Sequence, residues 1–161
     1  MARYLLGTQC VVDLARGANL PPERWLKSLD PKQVVASDIR ISVVTPMILT
    51  ATFAAQEQTP FVAALKQACE SLLRRFVLGK RMVPVSKEIA DRWGTLLPFT
   101  LTYLNIDNQP ADYDFRERLI MATAIEGVDG LPFTLVDRTQ PGHTALKPIG
   151  LQLLDPYLTH P

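Results

Sequence analysis

The sequence is poor in the residues that most often announce chemistry. It holds two cysteines and two histidines among 161 residues. Cys10 and Cys69 lie far apart on apolar stretches with no histidine beside them, which excludes a recognisable thiolate–imidazole metal cage. The expectation is two buried free thiols, because unpaired cysteine behaves as a small hydrophobe. His143 falls in a Pro/Gly-rich segment and His160 at the C-terminus, neither with a serine or cysteine nucleophile placed for it. Both are therefore expected at the surface rather than in catalysis.

Charge of one sign is missing as well. With 17 Lys+Arg against 16 Asp+Glu, the net charge is +1 at pH 7, so binding to nucleic acid or an anionic surface would need a local patch. No apolar run approaches the roughly 20 residues of a membrane helix, and the start of the chain lacks a signal-peptide layout. The expected setting is cytoplasmic, with no membrane contact. Low complexity and internal repeats are absent too.

What is there alternates in period. Tyr4–Leu6, Ile39–Val44, Arg81–Val85 and Phe133–Val136 are short apolar or β-branched runs bounded by polar residues, and they read as buried strands. Between them lie helical patterns. Thr45-Pro46 is a helix start, the hydroxyl suited to capping free amides and the proline to the first helical position. Phe61, Leu65, Ala68, Cys69, Leu72 and Phe76 recur at helical spacing. Ser86 opens a helix through Ile89, Ala90, Trp93 and Leu97, and Gly127 closes another in "ADYDFRERLIMATAIEG". The prolines fall at element edges and in 140–148, which is expected to be loop. Strand alternating with helix predicts an α/β fold, a central parallel sheet of four to five strands with helices on both faces, in one domain spanning 1–161.

Five pieces carry a more specific signal: "YLLGTQCVVDLARG", "ISVVTPMILTATFAA", "KRMVPVSKEIADRWGTL", "ERLIMATAIEGVDGLPFTLVDRT" and "GLQLLDPY". Their order and spacing resemble those of the PIN-domain family, particularly its VapC-type toxin ribonucleases, over nearly the whole chain. The resemblance implies a cluster of carboxylates at the C-terminal ends of the central strands, holding Mg²⁺ or Mn²⁺ for RNA hydrolysis. Hard divalent ions prefer oxygen ligands, and several negative charges are required to hold them beside a phosphodiester.

Against that pattern the acids are worn away. Gly7 stands where the first aspartate is expected, and Gln9 replaces an asparagine. Ile48 takes the place of a glutamate, Glu117 that of an aspartate, and Thr139 that of an aspartate or asparagine. The reading that follows is a degenerate ribonuclease, without catalytic residues, metal or cofactor, acting as a scaffold or regulatory component and retaining at most RNA binding. The alternative is a divalent-metal ribonuclease with a rearranged site built from Asp13, Glu117 and Asp137. Arg116, Arg118 and Arg138 beside the vacated site are candidate phosphate contacts. Their bland reading is surface ion pairing.

Partners are read from apolar surplus. Met47, Phe53, Phe61, Leu65, Leu72, Leu73 and Phe76 give two neighbouring helices more apolar surface than a sheet needs. The expectation is a homodimer, or a heteromeric complex with an antitoxin-like or other protein, centred on the helices of residues 46–76.

Overall fold

The computed structural model describes residues 2–161, and of residues 35 and 36 the backbone alone. Arg3–Leu6 forms β1, whose pleat sends Leu5 and Leu6 into opposite halves of the core, where both are fully buried. Gly7 leads into α1 (Thr8–Arg16), followed by α2 (Pro21–Ser28) and α3 (Pro31–Ala36). Proline in the first turn opens both of the latter, where its missing N–H costs no hydrogen bond. Next come β2 (Asp38–Ser42), α4 (Thr45–Ala54), the long α5 (Pro60–Leu78), β3 (Met82–Val83) and α6 (Lys87–Leu96). A hairpin of β4 (Thr102–Leu104) and β5 (Pro110–Asp112) precedes α7 (Phe115–Glu126). β6 (Thr134–Val136), α8 (Pro141–Leu146), β7 (Gln152–Leu154) and α9 (Pro156–Thr159) complete the order.

Five strands pair in parallel in the order β3-β2-β1-β6-β7. The α/β class and the five-stranded parallel sheet are those the periodicity predicts. One half of the core joins Leu5 and Leu135 to α6 and α7, and the other joins Leu6, Val136, Ile39 and Ile41 to α1, α2 and α5. The chain winds from β1 outward through β2 to β3, then crosses to the other side of β1 for β6 and β7. The β1–β6 boundary is thus a topological switch point, where connections leave in opposite directions and a crevice opens beyond the carboxyl ends of the strands. Leu6 is in register with Val136, so Gly7 and Asp137 are neighbours at that crevice.

Several local expectations change. Val44 occupies the N-cap position of α4, Thr45 is the first helical residue, and its buried Oγ1 has no hydrogen-bond partner. The segment 140–148 is ordered as α8 and a short 3-10 turn, Lys147–Ile149, with Pro141 in the first turn and His143 Nδ1 accepting from the Gln140 amide at 3.3 Å. His143 is consequently buried, 2% exposed, and stacked on Tyr113 with ring centroids 5.6 Å apart. Ser86 does cap α6 by accepting from Ile89 N. Gly127 ends α7 at φ +66°, where an added Cβ would overlap the Leu131 carbonyl. Cys10 and Cys69 are buried free thiols.

Arg118 is also displaced from its expected role. It is 7% exposed and its guanidinium is spent inside the protein, with Nε donating to Tyr113 O at 3.0 Å and Nη1 to Leu96 O at 3.1 Å. Nη1 further approaches the carbonyls of Leu97 and Phe99. One charged fork thereby satisfies the orphan carbonyls at the end of α6 and ties them to α7. Replacing it strands several acceptors at once. Arg118→Met is expected to lower stability by about 3 kcal/mol in urea titrations, whereas Arg116→Met at the partly exposed neighbour should stay within about 0.5 kcal/mol.

Candidate functional site

The switch-point crevice is a cleft of about 760 Å³. Thr8 and Gln9 from the start of α1, Ile48 from α4, Glu117 from the first turns of α7, and Asp137 and Arg138 just beyond β6 line it. The β4–β5 hairpin overhangs one side through Tyr103, Leu104 and Ile106. Ile106 at its tip is fully exposed.

Gly7 is buried, and the space its side chain would need is already taken. A Cβ added there would lie 2.8 Å from Asp137 Cβ and overlap the Asp137 carboxyl carbon and an oxygen. Asp137 Oδ1 accepts the Arg138 amide at 2.8 Å. Glu117 faces the same cleft, and neither carboxylate belongs to an ion pair among the described residues. Thr8 Oγ1 is buried without a partner at hydrogen-bond geometry.

This arrangement disfavours charge. Burial first, and the neighbouring carboxylate second, push Asp137 up to about 8. Glu117 rises to about 7, mainly through burial, with the Thr8 hydroxyl acting against the rise and the Asp114 carboxylate adding to it. The nearby cations do not neutralise the pair. Arg116 is held by Asp114 at 2.8 Å, and the Arg138 guanidinium lies over the Tyr157 ring, 4.2 Å from its centroid.

Solved structures with the same chain path come from toxin–antitoxin proteins. A FitAB complex bound to a DNA fragment superposes with a TM-score of 0.62 at 18% identity, covering 96% of this chain and 95% of that one. FitAcB from Neisseria gonorrhoeae gives 0.61 at 18% identity, covering 96% and 98%. VapBC2 from Rickettsia felis, bound to a fragment of promoter DNA, gives 0.57 at 18% identity, covering 95% and 98%. The chain has the PIN fold of these toxin–antitoxin proteins. No family model matches the chain, and no curated protein matches it in sequence.

Within the PIN fold, the worn positions can be placed one by one. Gly7 offers backbone only. Ile48 is 5% exposed and puts a hydrocarbon wall on the cleft. Thr139 donates its amide to Asp155 at 2.7 Å and is not among the cleft-lining residues. Of the three residual acids, the fold brings Glu117 and Asp137 together and leaves Asp13 apart. Asp13 is 5% exposed, not a solvated helix charge, and accepts from Tyr157 Oη and from Gln9 Nε2 at 3.1 Å. Arg116 and Arg138 line the cleft, and Arg118 does not.

Other residues of this region were not singled out from the sequence. Tyr113 sits between Tyr103 and His143, and Asp155 caps α9 by accepting from Tyr157 N at 2.8 Å. The Asp-Pro pair at 155–156 is a helix-start signal that would have located the latter. Nothing local marks Tyr113, whose role depends on the distant α8.

Glu117 and Asp137, with Asp112 and Asp114 lining the same cleft, carry oxygen donors of the kind Mg²⁺ or Mn²⁺ prefers. They fit one such ion completed by water. They do not fit a larger acidic cluster, and no group of three or more His, Cys, Asp or Glu suited to a metal occurs among the described residues.

The raised acids set a pH dependence. A carboxyl protonated in the fold up to about 8, but only to about 4 when unfolded, contributes stability at low pH that is lost as pH rises through this window. Asp137→Asn should therefore stabilise the metal-free protein by on the order of 2 kcal/mol at pH 8 and give no gain at pH 4. Buried His143 works in the opposite sense, its pKa lowered to about 4 by desolvation. Its stability is lost as pH falls from about 6.5, and that acid limb should persist in Asp137→Asn urea titrations.

Proposed function

We propose that this chain is a partner-binding PIN-fold protein that has lost nuclease activity, and that it acts in a complex with an antitoxin-like protein. One observation carries the reading: of the positions where the PIN pattern expects acids, Ile48 gives the cleft a hydrocarbon wall, Gly7 has no side chain and Thr139 does not line the cleft, so among Asp112, Asp114, Glu117 and Asp137, the carboxylates that do line it, Glu117 alone stands at an expected position. Purified protein is expected to leave structured RNA intact in millimolar Mg²⁺ or Mn²⁺. Metal-dependent cleavage that disappears in Glu117→Ala would overturn it and favour the rearranged ribonuclease.

The protein-partner part rests on the apolar surface of α4 and α5 and on the neighbouring folds, which occur in FitAB and VapBC complexes. The interface candidates divide by burial. Phe53 is 4% exposed and belongs to the core, so it is not available to a partner. Leu65, Leu72, Leu73 and Phe76 pack partly against the same core. Met47 and Phe61 remain 57% and 64% exposed, joined by Val77 and Leu78 near the end of α5. Between the helices runs a groove of about 350 Å³ lined by Leu49, Phe53, Leu73 and Val77. Pairing of two copies, or capture of one partner chain, would cover these groups.

A second reading is retained binding of an RNA backbone. Arg138 lines the cleft and has no carboxylate partner among the described residues, so its guanidinium is free to meet phosphate.

Light scattering of the purified chain should report a dimer at high micromolar concentration. Met47→Glu with Phe61→Glu is expected to yield monomers with stability within about 0.5 kcal/mol of the parent. Phe53→Ala should instead cost about 3 to 5 kcal/mol through a core cavity. Monomers throughout, together with no stable complex on co-expression with an antitoxin-like chain, would remove the interaction reading.

A further inference from the structure

We propose that the groove between α4 and α5 receives the tip of the β4–β5 hairpin from a second copy of this chain, with Ile106 entering the groove and Asp107 meeting its basic rim. The inference rests on the reading of α4 and α5 as an interface and specifies the segment that enters it.

Two apolar surfaces of this chain lack a partner, and they carry opposite charge. The groove has its floor in Leu49, Phe53, Leu73 and Val77, with Lys66, Glu70 and Arg74 at the rim. Over residues 66–81 the exposed bases Lys66, Arg74, Arg75, Lys80 and Arg81 face a single acid, Glu70, and none of them belongs to an ion pair among the described residues. The hairpin is the reverse. Between Arg92 and Arg116 no basic residue occurs, whereas Asp107, Asp112 and Asp114 do. Asp107 at the tip is exposed and in no ion pair among the described residues, and Ile106 beside it is 100% exposed. An apolar tip flanked by acid complements an apolar groove rimmed by base, the burial supplying affinity and the charges orientation.

The tip is also held in shape before it meets anything. Asn105 Oδ1 accepts from Asp107 N and Gln109 N, both at 3.0 Å, and Asn108 takes a left-handed φ of +57° that asparagine tolerates. Docking therefore orders little backbone, which lowers its entropic cost.

Within one chain, α4 keeps the two surfaces apart. Ile48, Thr52 and Ala55 line the cleft that the hairpin overhangs, Pro46, Thr50 and Phe53 line the groove on the opposite face of the helix, and Leu49 borders both. A hairpin thus lies across α4 from its own groove. Two copies related by a two-fold axis at α4 exchange hairpins reciprocally, which closes the assembly at a dimer with two identical contacts.

The test is sedimentation equilibrium of the full chain and of mixed variants, with thermal melts to verify folding. The wild-type chain should dimerise. Ile106→Ser at the tip and Val77→Asp in the groove should each weaken dimerisation about tenfold or more. Asp107→Lys should weaken it about threefold, and Arg74→Glu in the same chain should restore it. An equimolar mixture of Ile106→Ser and Val77→Asp chains keeps one complete contact, an intact hairpin on one copy and an intact groove on the other, and should associate more tightly than either variant alone. A mixture no tighter than its components overturns the proposal, as does a wild-type dimer that Ile106→Ser leaves unchanged. In the latter case, dissociation by Met47→Glu with Phe61→Glu would still uphold the α4–α5 interface. A monomeric wild-type chain whose groove is covered by an antitoxin-like chain also overturns the hairpin exchange and leaves that interface standing.

Discussion

One steric fact governs this cleft: at the carboxyl ends of β1 and β6 the Asp137 side chain fills the volume that a side chain at position 7 would need. Parallel pairing of Leu6 with Val136 makes Gly7 and Asp137 compete for it, and the absence of a Cβ at 7 resolves the competition. A glycine that reads as a simple deletion is thus the condition for the placement of Asp137. The backbone around it is ordinary, with Gly7 at φ −70° and ψ 162°, so the requirement is for volume and not for a left-handed conformation.

That placement has an energetic consequence for the whole molecule. Glu117 and Asp137 meet in the cleft, partly buried and without an ion-pair partner among the described residues, so the folded state holds protons that the unfolded chain would release near neutral pH. A site that served the fold alone would be better filled by neutral side chains, since burying like charges costs more than it returns. Ile48 on the cleft wall is such a neutral side chain, and outside the cleft Asp13 is locked to Tyr157 and Gln9.

Much of the frame was legible because it depends on period and local chemistry. The apolar run Tyr4–Leu6, the Ser86 cap and the Gly127 stop each act over a few residues, and each appears as the pattern predicts. The misses depend on contacts that cross the chain. His143 is buried because Tyr113, thirty residues earlier, receives its ring, with Tyr113 Oη and His143 Nε2 3.4 Å apart. Arg118 looks like any arginine among acids, yet carbonyls near 96–99 consume its donors. Phe53 and Phe61 sit on adjacent apolar helices, and only the packing of α4 and α5 separates a core ring from an exposed one. The site was half legible. Its acids could be counted, but the exchange between Gly7 and Asp137 requires the strand register.

The persistence of an open cleft follows from topology more than from its residues. Where β1 turns toward β2 on one side and β6 toward β7 on the other, helices depart in opposite directions and no local substitution closes the gap. Ile48 packs against the core without sealing the crevice, and the hairpin 102–112 borders it from outside. The PIN fold therefore keeps presenting a concave, partly acidic surface after its acids are reduced. What can change at low structural cost is which side chains face the cleft, and in this chain they are the hydrocarbon of Ile48, the carboxylates of Asp112, Asp114, Glu117 and Asp137, and the guanidinium groups of Arg116 and Arg138.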